Sequence, residues 1–328
     1  AAPGPRMALR AVAQHQCPGG GYVVALARGP GALEVAADCV VASVLGAGAR
    51  GGSVEVLDLE ALKPRRQLPT SATGLAVLPG GDGAGGAGPG LLTSGEDGSV
   101  KLWDIRADGA GPQRVLRAAG GGPAAAVAAS VDGRLCAVAE GPRLRLLDVG
   151  TGRELLVHED AHSEPVTCAA FRPRRGGPME LVSAADDGLV CALDIPRCLE
   201  GGKAVEDDAG LRLVMNGGES VQRLAFLGED AAVVASISTT EVLQLWCLDE
   251  RRAGADCGRF ESLRSEPSLR VGETEGYLLD VLYDADDGRA HVLAGAVDGS
   301  LSLLHLNLQG ARPVARAPPA AGRGAWGH

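Results

Sequence analysis

The chain has 328 residues, with 31 Lys and Arg against 41 Asp and Glu for a formal charge of −10, and 3% aromatic residues beside 49 glycines. This acidic balance argues against a nonspecific grip on nucleic acid, whose phosphates need concentrated basic surface, and no apolar run approaches the roughly 18 residues of a membrane-spanning helix. The eight cysteines form no C-x-x-C and carry no pairing message, so a reducing compartment, cytoplasmic or nuclear, is expected.

Residues 1–20 read as a disordered segment. They hold Arg6 and Arg10 but no acid, the first being Glu34, and an organelle transit segment is the alternative reading. A tandem array then runs over residues 21–310. In its first unit the apolar run CVVASVL is followed by GSVEVLDL, and the earlier run YVVALA, Tyr22 to Ala27, is read as an outer strand that latches the last unit. The second unit is the sharpest, LLTSGEDGSVKLWD from Leu91 to Asp104. Its Asp97-Gly98 pair supplies a tight turn between two alternating strands, because Gly accepts the positive backbone angles such a turn demands.

The pattern recurs. With Leu57, Trp103, Leu147, Leu193, Trp246 and Leu304 aligned, the steps are 46, 44, 46, 53 and 58 residues. A four-stranded blade takes roughly 40–45 residues, so the last two steps carry insertions, PRCLEGGKAVEDDAGLRLVMNGG after Ile195 and a second run from Asp249 to Gly276. In the fourth unit Val166 to Phe171, Glu180 to Ala184 and Gly188 to Asp194 read as three strands. In the sixth, Leu278 to Tyr283, His291 to Gly295 and Ser300 to Leu306 do so, with Asp298-Gly299 at a turn. The ending GARPVARAPPAAGRGAWGH lacks an Asp-Gly turn and alternation, so residues 311–328 read as a disordered or degenerate tail, with an open or strained junction near Gly310.

These features resemble the WD-repeat superfamily. Over Val40 to Gln309 the order of the fourth unit, the acidic loop VEDDAGLRLVMN, the unit ending LQLWCLD, the long insert and GYLLDVLYDADDGRAHVLAGAVDGSLSLLHLN is similar to the WD repeat-containing protein 89 family. The resemblance implies an all-β fold, a WD-repeat β-propeller with six recognisable blades of an expected seven and the terminal blade missing or degenerate. It also implies that a loop His, a Ser or Thr on the second strand, the turn Asp and the third-strand Trp form a hydrogen-bonded chain within a blade. The structural positions so assigned are Thr93, Asp97, Trp103, His162, Ser183, Asp187, Trp246 and Asp298, and no blade holds the complete set.

Other strings imitate catalytic sites. His158 to His162 reads HEDAH, but the H-E-x-x-H zinc motif works only on a helix, where two His share a face, and this string sits between strand-like runs. GAGARG at residues 46–51 matches a dinucleotide loop yet precedes a strand where a helix is needed, a second match lies in the filler at 81–86, and Gly201-Gly202-Lys203 lacks the rest of a phosphate loop. The six His are scattered. No catalytic residue, cofactor or metal is therefore assigned, and a propeller-type hydrolase or isomerase using rim loops is the weaker alternative.

The expected function is a non-catalytic scaffold or adaptor binding other proteins on a propeller rim. Glu96, Glu164 and Asp186 are assigned as contacts for basic peptide segments. No membrane, small-molecule substrate or direct nucleic-acid partner is expected, and the chain is expected as a monomer within a larger complex.

Overall fold

The computed structural model describes residues 7–8, 22–28, 39–45, 52–58, 63–78, 90–105, 111–117, 122–174, 179–199, 210–249, 252–271, 274–307 and 309–317. The strings GAGARG, Gly201-Gly202-Lys203 and the filler at 80–89 lie outside these residues, as does most of the segment 1–20.

Short β-rich runs punctuated by Asp-Gly turns fold here as successive antiparallel sheets. After β1 (Met7–Ala8), the first blade holds β2 (Tyr22–Arg28), β3 (Cys39–Leu45), β4 (Ser53–Asp58) and β5 (Pro64–Leu68), and the second holds β6 (Gly74–Leu78), β7 (Gly90–Ser94), β8 (Val100–Asp104) and β9 (Arg114–Arg117). The third comprises β10 (Ala124–Ala129), β11 (Leu135–Glu140), β12 (Arg143–Asp148) and β13 (Glu154–His158), and the fourth β14 (Val166–Phe171), β15 (Glu180–Ala185), β16 (Leu189–Asp194) and β17 (Leu211–Asn216). The fifth is β18 (Val221–Leu227), β19 (Val233–Ser238), β20 (Leu243–Cys247) and β21 (Asp256–Phe260). The sixth is β22 (Tyr277–Asp284), β23 (Arg289–Gly295), β24 (Leu301–Asn307) and β25 (Gly310–Ala317). A single helical turn, α1 (Ile195–Cys198), is capped by the Asp194 side chain and opens the first insertion.

The sheets are blades of a propeller. Each inner strand packs on the next, β2 on β6, β6 on β10, β10 on β14, β14 on β18 and β18 on β22. The core is accordingly a series of layers between blades, such as Leu92, Val100 and Leu102 against Val127, Cys136 and Val138, or Val182, Ala184 and Val190 against Val221, Val234 and Trp246. Among the described residues no comparable packing joins β22 to β2. The second face of the sixth blade leaves Tyr277, Leu282 and Leu301 exposed.

Two local devices repeat. At Asp97-Gly98, Asp187-Gly188 and Asp298-Gly299 the glycine takes φ of 78°, 77° and 81°, and the aspartate accepts the amide two residues on, at 2.9, 2.9 and 2.8 Å. The register between third and fourth strands slips by one residue next to Leu57, Leu147, Leu193, Trp246 and Leu304. Those are five of the six aligned positions, all buried, which confirms the repeat phase read from the sequence.

Three expectations are corrected. Tyr22–Arg28 is the inner strand of the first blade, antiparallel to β3, not an outer strand of the last. The latch on the last blade is β1, paired parallel to β25 through Met7↔Ala315 and Ala8↔Arg316. Residues 311–317 are not tail, because β24 presents a row of unpaired backbone groups and Gly310–Ala317 covers it in register. Pro313 is tolerated because it lies beside a register slip near the sheet edge, so the sixth blade is complete and no break opens at Gly310.

Candidate functional site

The turns between second and third strands and the connections entering each inner strand open on one end of the ring. There the WD-type hydrogen bonds assemble. In the fourth blade His162 lies in the connection leading to β14, Ser183 on β15 and Asp187 in the turn before β16. His162 Nε2 is 2.9 Å from Ser183 Oγ, and Nδ1 is 3.1 and 3.2 Å from the Asp187 carboxylate. A neutral ring protonated at Nδ1 satisfies the set, donating to Asp187 and accepting from the Ser183 hydroxyl. Burial depresses the imidazole pKa against the pull of Asp187, and Asp187 is held low, against its own burial, by amide donors from Leu189 and Ser163 and by the His162 ring. Asp186 N bonds to Pro165 O at 3.0 Å, tying the connection to the turn.

Ser–His–Asp is also the composition of a nucleophilic triad. Here Ser183 has no exposed surface and the His162 side chain is likewise sealed, so no substrate reaches the hydroxyl and the set is a fastening. The second blade holds the complementary half, Trp103 Nε1 donating to Thr93 Oγ1 at 3.0 Å, with Asp97 held low by its hydrogen bonds to Ser99. Trp246 departs from expectation. Its indole N–H is buried without a partner, because Ser236, at the position of Thr93, donates instead to Gln244 O at 3.5 Å. Asp298 forms its turn and lies 3.7 Å from Arg316 of β25.

The HEDAH string resolves into a strand end and a loop. His158 closes β13, buried with neither ring nitrogen partnered, while His162 belongs to the fastening. Among the described residues no three His, Cys, Asp or Glu side chains gather where they could hold a metal ion.

Of the three rim carboxylates, Glu164 and Asp186 are brought together on the fourth blade, and Glu96 stands on the corresponding turn of the second. All three are exposed. Asp186 also accepts the Ser220 hydroxyl at 2.6 Å, which links the rim to the connection entering the fifth blade. Three further acids on this end escaped the sequence reading. Glu219 accepts from Ser238 and from Thr240 and sits 3.6 Å from Arg259. Glu241 accepts the Leu278 amide at 2.9 Å, and Glu275 pairs with Arg264 and Arg270. A signal was available, since Glu164, Glu219 and Glu275 each stand two residues before an inner strand.

The family model for the WD domain, G-beta repeat, matches residues 69–104, which run from the connection after β5 to the Trp103-Asp104 pair at the end of β8. The chain is 26% identical over 159 residues to the WD repeat-containing protein 89 homolog of Dictyostelium discoideum, covering 47% of this chain and 40% of that protein. It is 27% identical over 121 residues to the WD repeat-containing protein GTS1 of Arabidopsis thaliana, covering 37% and 29%. The matched part is thus two fifths or less of the length of these curated relatives.

Proposed function

Because the chain is a WD-repeat β-propeller, a class whose members generally hold other proteins together and are generally not enzymes, we propose that it is a scaffold that receives a basic peptide segment on the rim marked by Glu96, Glu164 and Asp186. The observation that carries this reading is that the inward-facing polar groups of the fourth blade are consumed by each other, whereas Glu96 and Glu164 stand exposed with no ion pair among the described residues. A rigid ring presenting unpaired acids attracts and orients a cationic partner, and such attraction weakens with salt. The test is affinity purification of partners with the native chain and with the Glu96→Lys, Asp186→Lys double variant. Loss of a Lys- or Arg-rich partner is expected, and binding that survives the reversal removes the proposal. The absence of a membrane partner is expected on the same reading, and among the described residues no helix is long and apolar enough to cross a membrane.

A further inference from the structure

The face of the sixth blade that turns away from the fifth carries two histidines side by side. Val292, Leu304 and Leu306 point into the apolar layer against the fifth blade, and side chains alternate along a strand, so His291 on β23 and His305 on β24 point to the opposite face. The two are directly opposed in the register, as are Leu282 and His291, and His305 and Arg312. A row of Leu282, His291, His305 and Arg312 therefore crosses the four strands, and its outer members Leu282 and Arg312 are exposed. The His291 and His305 ring centres are 5.5 Å apart, with the ring planes at 51° to one another. Among the described residues neither ring has a hydrogen-bond partner. His305 Nδ1 is sealed from solvent in that state, which leaves Nε2 as the nitrogen facing outward.

We propose that His291 and His305 form a cross-strand chelate for a late first-row divalent cation, Zn(II) in the first place. An ion about 2.0–2.1 Å from a ring nitrogen lies about 3.1 Å from the centre of that ring. Two such ligands with centres 5.5 Å apart subtend an angle of about 120° at the ion. That is near the tetrahedral value and far from the right angle between adjacent square-planar positions, which favours Zn(II), whose filled d shell imposes no geometry, over Cu(II) and Ni(II). Mg(II) and Ca(II) take oxygen ligands and are not expected here. A closed structural zinc site has four protein ligands, whereas this one has two, with water in the remaining positions, so the ion is held weakly and exchanges. The nearest charges on the same face oppose each other. Arg312 lies beyond His305 and repels a cation, while Asp284, two residues along β22 from Leu282, stands diagonal to His291 and attracts it. Both are exposed and screened, so the two imidazole lone pairs, not the surrounding field, hold the ion.

The full chain, reduced and stripped of metal, is dialysed against Zn(II) at fixed free concentrations, beside His291→Gln and His305→Gln. The native chain is expected to bind one Zn(II) that either variant loses, its affinity falling by at least the roughly 10–100-fold that disturbing a ligand's outer shell already costs, and Mg(II) should displace none of it. Co(II) in place of Zn(II) should give visible bands of a site with nitrogen and oxygen ligands, without the near-ultraviolet charge transfer of thiolate ligands. If a variant misfolds, the native chain decides alone, because Zn(II) should slow acylation of both His291 and His305 by diethyl pyrocarbonate, read by peptide mapping. Equal Zn(II) binding by the native chain and folded variants, thiolate bands alone with Co(II), or failure to shield both histidines overturns the proposal.

Discussion

Glu180 is 1% exposed and sits between two guanidinium groups. Arg172 Nη1 is 2.7 Å from Oε2, and Arg212 Nε is 3.1 Å from Oε1. Both arginines also reach the fifth blade, Arg172 Nε donating to Asp230 O at 3.1 Å and Arg212 Nη2 to Leu248 O at 2.6 Å. The carboxylate therefore aims two side chains of the fourth blade at the backbone of the fifth. At an effective dielectric of 20 the closer pair attracts by about 6 kcal/mol, but dehydrating the three charges offsets much of that. The measurable quantity is the cost of removing one member, about 3–5 kcal/mol for a buried pair. Glu180→Ala strands the buried Arg172 and the partly exposed Arg212 and is expected to lose that much in urea titrations followed by near-ultraviolet circular dichroism, with the melting point down by roughly 6–10 °C. Replacing Glu180, Arg172 and Arg212 together by Met is expected to be close to neutral, because no charge is left unpaired. A loss below about 1 kcal/mol for Glu180→Ala, or equal losses for the single and triple variants, refutes this reasoning.

His162→Ala leaves the Ser183 hydroxyl buried and unpartnered and is expected to cost about 2 kcal/mol in the same titration, and Trp103→Phe, which leaves the Thr93 hydroxyl buried and unpartnered and a gap where the indole packed, is expected to cost about 2–3 kcal/mol. Acid acts through several groups of depressed pKa, Glu140 and His162 among them. Burial would raise Glu140, but hydrogen bonds from Arg117, Arg145 and Gly122 N outweigh it and hold the group at about 2 against 4.5 unfolded. Its contribution is therefore complete above pH 4.5 and lost as pH falls toward 2, with a ceiling of about 3 kcal/mol. His162 is kept neutral when folded, so its contribution is complete above pH about 6.5 and shrinks below it as the unfolded chain takes up the proton. Urea midpoints at pH 7, 5 and 3 check both signs, and Glu140→Gln should flatten the more acidic part of the decline. Trypsin should spare Arg312 and Arg316 in the native chain, since β25 is hydrogen-bonded along its length. Cleavage there before global unfolding contradicts its place in the sixth blade.

The repeat phase was legible because its determinants are local. An Asp-Gly pair fixes a turn through one side-chain hydrogen bond and one positive φ, and a large apolar residue six positions after the Asp marks the third strand, as Trp103 follows Asp97 and Leu193 follows Asp187. The His162–Ser183–Asp187 fastening, whose members stand 21 and 25 residues from the histidine, was legible only through the resemblance to WD repeats. What stayed hidden depends on contacts between distant segments. Gly310–Ala317 has weak strand character of its own, with Pro313 and two arginines, and is a strand because β24 needs a partner. β1 exists only as an edge added to that strand. The Arg172–Glu180–Arg212 cluster joins residues whose sequence spacing carries no message, and the orphaned Trp246 N–H follows from where the Ser236 hydroxyl turns.

Stability in such a ring is approximately a sum of blade and junction terms, and the junctions here are unequal. The third, fourth and fifth blades bury an apolar layer on both faces. The sixth buries one, against the fifth, and exposes Leu282 at 46% on the other. The first buries Val41, Val54 and Val56 against Leu91 and Trp103, and among the described residues its other face holds only the small cluster of Ala42, Val44 and Leu57. Opening should therefore start at the two ends of the array. Native-state hydrogen exchange should find the amides of β15, β16 and β19 opening only with global unfolding, and those of β4 and β23 opening at lower free energy. Adding Leu282→Lys should leave this order unchanged, because that side chain contributes little burial. Equal protection of β4, β16 and β23 would mean that the sixth and first blades are packed together as firmly as the rest, and the open junction would then be wrong.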